Sequence, residues 1–121
     1  MKQLTRADEI LMVAILCLGE DAYSTTILAE VERRAGKAVT VGSLWVSLDH
    51  LAAKGYVRKG PRKGEPSRGG RARIYYRLTP KGLRSLARIQ ELQRRLWEGV
   101  PKIKETGAGA KGDPSETQSV Q

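Results

Sequence analysis

The segment from residue 56 to residue 82, YVRKGPRKGEPSRGGRARIYYRLTPKG, constrains the fold most. Two short segments, YVRK and RIYYRL, have the residue types of β-strands, and a long loop rich in Gly and Pro joins them. Successive side chains of a strand point to opposite faces. We therefore expect Ile74, Tyr76 and Leu78 to face the core and Tyr75 to be the more exposed tyrosine. The segment predicts a β-hairpin with a long tip.

Most of the positive charge lies in this hairpin. The 121-residue chain has a formal net charge of +9, and the 20 residues from Arg58 to Arg77 contain eight Lys or Arg and a single Glu. A run of charge is often only a solvated surface. Its concentration on one short Gly-rich loop favours phosphate binding instead. We therefore expect a polyanionic partner.

Apolar residues at helical spacing predict three helices before the hairpin and one after it. Their bounds and caps are residues 5 to 19, Ser24 (N-cap) to Gly36, Thr40 (N-cap) to Gly55, and Thr79 (N-cap) to Trp97. Pro80 would be the first residue of the last helix, a position that favours proline. Three helices followed by a hairpin are typical of a winged helix-turn-helix, in which the hairpin is the wing. The fold class is mainly α with a small β hairpin.

The third predicted helix has an apolar face and a polar face. Val41, Leu44, Leu48 and Leu51 form the apolar stripe that we expect in the core. The opposite face would enter the major groove, where each base pair has its own pattern of donors and acceptors. The candidate DNA-binding residues are Thr40, Gly42, Ser43, Trp45, Val46, Ser47 and His50 on this helix and Arg68, Gly69, Gly70, Arg71, Arg73 and Tyr75 on the hairpin.

Three motifs, LGEDAYSTTI, GSLWVSLDHLAAKGYV and GGRARIYYRLTPKG, resemble in this order those of PadR-type transcriptional regulators. The resemblance covers about residues 5 to 86. It implies a homodimeric repressor that binds an inverted repeat in double-stranded DNA. We divide the chain into a DNA-binding domain (1–79), a C-terminal dimerisation helix (80–98) and a disordered tail (99–121).

The first and last helices carry the predicted dimer interface. Its candidate residues are Ile10, Val13, Leu86, Ile89, Leu96 and Trp97. Some relatives bind flat aromatic compounds between their subunits, so Trp97 would either line an effector cavity or simply pack in the interface.

The chain departs from the family pattern at several positions. Trp45 replaces the usual Tyr, His50 a frequent Arg, and Ser24 a common Gly. Asp49 repels phosphate, although its carboxylate can accept a hydrogen bond from a cytosine amino group.

Other functions find little support. One Cys and one His exclude a Cys/His metal cluster, and we expect no cofactor and no enzymatic activity. GAGAKG, residues 107 to 112, matches a dinucleotide fingerprint only by letter, because no strand precedes it. The apolar run around Cys17 is too short to span a membrane, so we expect Cys17 in the core of a soluble cytoplasmic protein. Two alternatives stay open: a non-specific nucleic-acid binder, and a module whose basic hairpin binds an acidic protein.

Overall fold

The computed structural model describes residues 4–61 and 73–105. Its elements are α1 (Arg6–Leu18), a 3-10 turn (Gly19–Asp21), α2 (Ser24–Ala35), α3 (Val41–Ala53), β1 (Val57–Pro61), β2 (Ile74–Leu78) and α4 (Pro80–Trp97). Three helices, an antiparallel hairpin and a last helix follow one another in the predicted order. The mainly α winged helix-turn-helix is therefore confirmed.

Threonine side chains cap three of the helices. The Oγ1 atom of Thr5 accepts a hydrogen bond from the Asp8 N–H at 3.0 Å, and the Thr5 N–H donates to the Asp8 carboxylate at 3.0 Å. Thr40 caps α3 by accepting from the Ser43 N–H at 3.1 Å, and Thr79 caps α4 with Pro80 as its first residue. The predicted caps at Thr40 and Thr79 are confirmed, and both fix where a functional helix begins.

The predicted cap at Ser24 is wrong, because Tyr23 occupies the N-cap position of α2. The Tyr23 N–H donates to Oγ1 of Thr26, three residues later, at 3.0 Å. Ser24 is thereby the first residue inside the helix. The shift by one residue brings the Tyr23 backbone beside the hairpin.

The core forms where α1 packs against α2, β2 and α4, with α3 packing against β1. Its largest fully buried side chains are those of Met12, Ile15, Ile27, Leu48, Leu51 and Tyr76. Leu44 is buried as predicted, but Val41 is 52% exposed. Val41 is the first residue of α3, and no described element covers that end of the helix. The core stripe of α3 is therefore one turn shorter than expected.

In the hairpin, Val57 pairs with Leu78 and Pro61 pairs with Ile74. Strand β2 also has backbone contacts with the residues just before α2. The Tyr76 N–H donates to the Ala22 carbonyl at 2.9 Å, and Tyr23 forms a bridge with Tyr75. Residues 22 and 23 thus lie along the edge of β2 that is not paired with β1. The hairpin is fixed to the helical core through this edge.

The predicted alternation of β2 holds for Tyr76, Arg77 and Leu78 but fails at Ile74 and Tyr75. Tyr75 is only 7% exposed, because the ring of Tyr23 packs edge-on against it with centroids 5.4 Å apart. Ile74 is exposed instead, since it lies at the end of the ladder that is farthest from the core. A residue distant in sequence therefore buries Tyr75, while Arg73 and Arg77 on the same face stay exposed.

The segment TPKG joins α4 closely to the end of α3. The hydroxyl of Thr79 donates to the Gly55 carbonyl at 2.6 Å, and the Thr79 N–H donates to the Tyr56 carbonyl at 3.0 Å. A Cβ atom at Gly82 would lie 2.2 Å from the Tyr56 carbonyl oxygen. Only glycine fits this contact, which sets the position of α4 against the α3–β1 connection.

Within the part of the chain that the structure describes, each helix is too short or too polar to cross a bilayer.

Candidate nucleic-acid interface

The outer face of α3, defined here as Gly42, Ser43, Trp45, Val46, Asp49 and His50, is open to solvent. Leu44, Leu48 and Leu51 hold the opposite side of the helix in the core. Ser47, also a candidate DNA-binding residue, is half-buried at the border between the two faces. The helix therefore presents hydroxyl, indole, aliphatic, carboxylate and imidazole groups from a rigid support.

The start of α3 is tightly organised. Thr40 is exposed, and its side chain accepts from the Ser43 N–H, while the Ser43 hydroxyl lies 3.4 Å from the Thr40 carbonyl oxygen. Since the first backbone N–H groups of a helix attract anions, this end suits a nearby phosphate. Thr40 and Ser43 combine a structural role in the cap with access to a ligand.

Four basic residues in and beside the strands of the hairpin are called the basic surface here: Arg58, Arg73 and Arg77 on one face, and Lys59 on the opposite face, which also carries Val57 and Tyr76. All four residues are exposed. Arg58 and Arg77 lie directly opposite each other in the strand pairing. Like charges at directly opposed positions destabilise a hairpin. A bound polyanion would relieve this repulsion.

Two tyrosines contact Arg73, which lies at the loop end of the hairpin, directly before β2. Its guanidinium lies 4.2 Å from the centre of the Tyr23 ring, and its Nη1 atom is 3.4 Å from the Tyr75 hydroxyl oxygen. Such cation–π packing fixes the direction of the guanidinium. Tyr75 is therefore better described as a buried support for Arg73 than as an open DNA contact. Sequence reasoning missed Tyr23, whose only signal was its place in the motif LGEDAYSTTI.

An ion pair connects the outer face of α3 to the basic surface. The Lys59 Nζ atom lies 3.4 Å from Oδ1 of Asp49, and the two side chains are 48% and 61% exposed. The outer face of α3 and Lys59 of β1, which is not among the predicted DNA-binding residues, are thus adjacent. The remaining predicted wing residues, Arg68, Gly69, Gly70 and Arg71, lie outside the described residues.

A second exposed surface is apolar. This C-terminal apolar surface consists of Leu92, Leu96 and Trp97 on α4 and of Val100 and Ile103 after it. Leu96 is 69% exposed, whereas Ile10, Val13 and Ile89 are half-buried. Large apolar groups concentrated in this way are typical of a surface that another chain covers.

Leu86, a candidate for the dimer interface, is 9% exposed and belongs to the core of its own chain. The prediction for Cys17 is wrong. Cys17 is exposed rather than buried, since it lies on the outer side of α1. Its Sγ atom is 3.4 Å from Nη2 of Arg34.

Burial, and then the charge of Asp49, raise the pKa of Tyr76 above its usual value. Among the described residues, no cluster of His, Cys, Asp and Glu has the arrangement of a metal site.

A model of the PadR-like family of transcriptional regulators matches residues 12–88. This chain belongs to the PadR-like family. The resemblance inferred from the three sequence motifs is thereby confirmed. The matched range extends from α1 to the middle of α4 and includes the whole hairpin.

Solved structures show the same fold. A PadR-like transcription factor from Bacteroides fragilis is 26% identical, with 78% of this chain and 89% of that chain covered and a TM-score of 0.61. RosR from H. salinarum is 24% identical, with 83% of each chain covered and a TM-score of 0.65. F93 from STIV, a winged-helix DNA-binding protein, is 16% identical, with 79% and 95% covered and a TM-score of 0.56. Comparison with curated protein sequences gives no match.

Proposed function

We propose that this PadR-family regulator is a homodimeric repressor that binds an inverted repeat in double-stranded DNA. The outer face of α3 reads bases in the major groove, and the hairpin contacts the flanking backbone. The observation that carries this proposal is the adjacency of the two parts, which the contact between Asp49 and Lys59 establishes. A groove-reading helix beside a basic wing matches the geometry by which winged helices bind DNA.

The outer face of α3 has the chemistry for base recognition. The Ser43 hydroxyl can donate or accept, the Trp45 indole N–H can only donate, and Val46 can pack against a thymine methyl group. These side chains are exposed on a helix that the core holds firmly. Because their groups differ, they favour particular base pairs over others. A surface that recognised only phosphate would need none of this variety.

The basic surface supplies affinity that does not depend on sequence. Arg58 and Arg77 are unfavourably paired across the hairpin, so a phosphate between them removes a repulsion as it adds an attraction. Arg73 contributes a guanidinium whose direction Tyr23 fixes. Each neutralised phosphate releases counterions, so binding should weaken steeply as salt increases.

The C-terminal apolar surface supplies the dimer contact. Leu92 and Leu96 are four residues apart on α4 and lie on the same face, with Ile89 one turn earlier. Burial against a second copy, together with Ile10 and Val13 of α1, would remove these side chains from water. Residues 1–79 are then the DNA-binding unit and residues 80–98 the dimerisation helix. An aromatic effector near Trp97 stays a prediction.

Selection of binding sites from a randomised duplex pool at about 0.15 M salt tests this function, because such salt suppresses purely ionic binding. We expect enrichment of an inverted repeat whose half-sites are about 10 base pairs apart, or a multiple of that distance. Binding without enrichment would favour the non-specific nucleic-acid binder. Absence of binding would favour an acidic protein as the partner of the hairpin.

A further inference from the structure

The ion pair between α3 and the hairpin has a consequence for selectivity, and the following inference rests on the proposed function. We propose that Asp49 is a specificity-determining residue: it competes with DNA phosphate for Lys59 and so weakens binding to unmatched sequences. The carboxylate is released from Lys59 only where a base amino group replaces the ammonium as its partner.

The position of Asp49 is unusual for a group that would face DNA. It is the only acidic residue in α3, and it lies on the outer face beside His50. Its ion-pair partner belongs to the basic surface rather than to α3 itself. Asp49 therefore lowers the positive potential where the helix and the hairpin meet.

The ion pair contributes little to the fold. Both side chains are about half exposed, the Nζ–Oδ1 distance is 3.4 Å, and other contacts already join α3 to β1. Exposed pairs of this kind are among the weakest contributions to protein stability. The pair can therefore open when a stronger partner arrives, which a structural ion pair could not do.

On DNA, phosphate competes for the Lys59 ammonium and base amino groups compete for the Asp49 carboxylate. When α3 enters the major groove, Lys59 lies toward the phosphates and Asp49 toward the base edges. At an unmatched site, Lys59 can reach a phosphate only by leaving a carboxylate without a counterion near the negatively charged backbone. At a matched site, the carboxylate accepts from a cytosine amino group, and Lys59 is free to bind phosphate.

The test compares wild type with Asp49→Asn, using Glu91→Gln as the matched control. Glu91 is also exposed and paired, with Arg94 on α4, so its substitution changes the net charge by the same amount away from the nucleic-acid interface. Because α4 is the proposed dimerisation helix, sedimentation checks that this control has the oligomeric state of the wild type. Affinities for a random duplex and for the duplex selected by the wild type are measured over a series of salt concentrations.

For Asp49→Asn we expect random-duplex binding that is about fivefold tighter, in line with the strength of an exposed ion pair. The slope of log K against log salt should become steeper by about 0.9, the value for one additional phosphate contact. Affinity for the selected duplex should not increase, so the ratio of the two affinities falls. Glu91→Gln should behave as wild type on both duplexes.

Lys59→Met provides a second, independent readout. In the wild-type background we expect Lys59→Met to leave the slope of log K against log salt unchanged for the random duplex, because the Lys59 ammonium is paired with Asp49 there and contacts no phosphate. In the Asp49→Asn background it should abolish the whole gain in affinity and in slope. Such non-additivity is the signature of two residues that act through each other.

Three outcomes overturn this inference. Equal gains from Glu91→Gln and Asp49→Asn would show an effect of net charge alone. An unchanged random-duplex slope for Asp49→Asn would show that Lys59 already contacts phosphate, and equal gains on both duplexes would show no role in selectivity. Failure of the proposed function is distinct, because wild type would then bind both duplexes equally or neither; no binding at all would overturn both claims.

Discussion

The outer face of α3 with its basic surface and the C-terminal apolar surface are both exposed, but they differ in charge and polarity. The first carries hydroxyl, imidazole and guanidinium groups, and the second carries Leu92, Leu96 and Trp97. Water solvates the first surface well and the second poorly. The difference indicates two kinds of partner, a polyanion for one and an apolar protein surface for the other.

The joint between the two surfaces gives the largest expected effect. Gly82→Ala would place a Cβ atom against the Tyr56 carbonyl, which cannot move without shifting the α3–β1 connection. We expect a loss of about 3 kcal/mol in the free energy of unfolding, measured by denaturant titration. Gly42→Ala is the control, because nothing lies near its added Cβ atom and alanine favours helix. Equal effects from the two variants would show that α4 does not depend on this contact.

A charge on the apolar surface should separate the subunits. Leu96→Asp would put a carboxylate in the proposed interface, so we expect monomers in sedimentation equilibrium. Loss of the second half-site contact should weaken binding to the selected duplex by on the order of 100-fold. Gln90→Asp, an exposed polar position on the same helix, should remain dimeric. A dimeric Leu96→Asp variant would mean that the subunits associate elsewhere.

Base reading is tested at Ser43. Ser43→Ala should weaken binding to the selected duplex by roughly 1–3 kcal/mol if its hydroxyl contacts a base, and leave binding to a random duplex almost unchanged. Fluorescence anisotropy with both duplexes measures the two effects. Because Ser43 also lies in the cap of α3, the thermal unfolding of the variant is measured in parallel. Equal losses on both duplexes would contradict base reading.

Phosphate binding is tested at Arg77, where we expect the smallest effect. Arg77→Ala should weaken binding to every duplex alike and reduce the salt slope by about 0.9. Removal of the repulsion with Arg58 should slightly stabilise the free hairpin. Arg33→Ala, which removes the same charge from α2, should leave the salt slope unchanged. A selective loss on one sequence would instead assign base contacts to Arg77.

Local patterns predicted the helix starts and the order of elements. Thr40 and Thr79 cap helices as expected, because an N-cap depends on contacts within one turn. At α2 an equally local contact, from the Tyr23 N–H to the Thr26 hydroxyl, moves the cap from Ser24 to Tyr23. The periodicity of α3 likewise predicted which of its side chains are exposed, except at its first residue.

Contacts between segments distant in sequence could not be predicted. Tyr75 is buried because Tyr23, 52 residues earlier in the chain, packs on it. The exposure of Cys17 could not be predicted, because an apolar run does not show which side of its helix the core covers. The pairing of Asp49 with Lys59 depends on the angle between α3 and the hairpin, which the packing of the whole domain determines.

The salt dependence of wild-type binding to the selected duplex and to its scrambled counterpart tests the central claim most directly. Both plots of log affinity against log salt should fall steeply, because the basic surface contacts phosphates in either complex. We expect the selected duplex to bind at least about 1,000-fold more tightly at about 0.15 M salt, as specific complexes do. Two coincident lines would mean that charge alone holds the complex and that α3 reads no sequence.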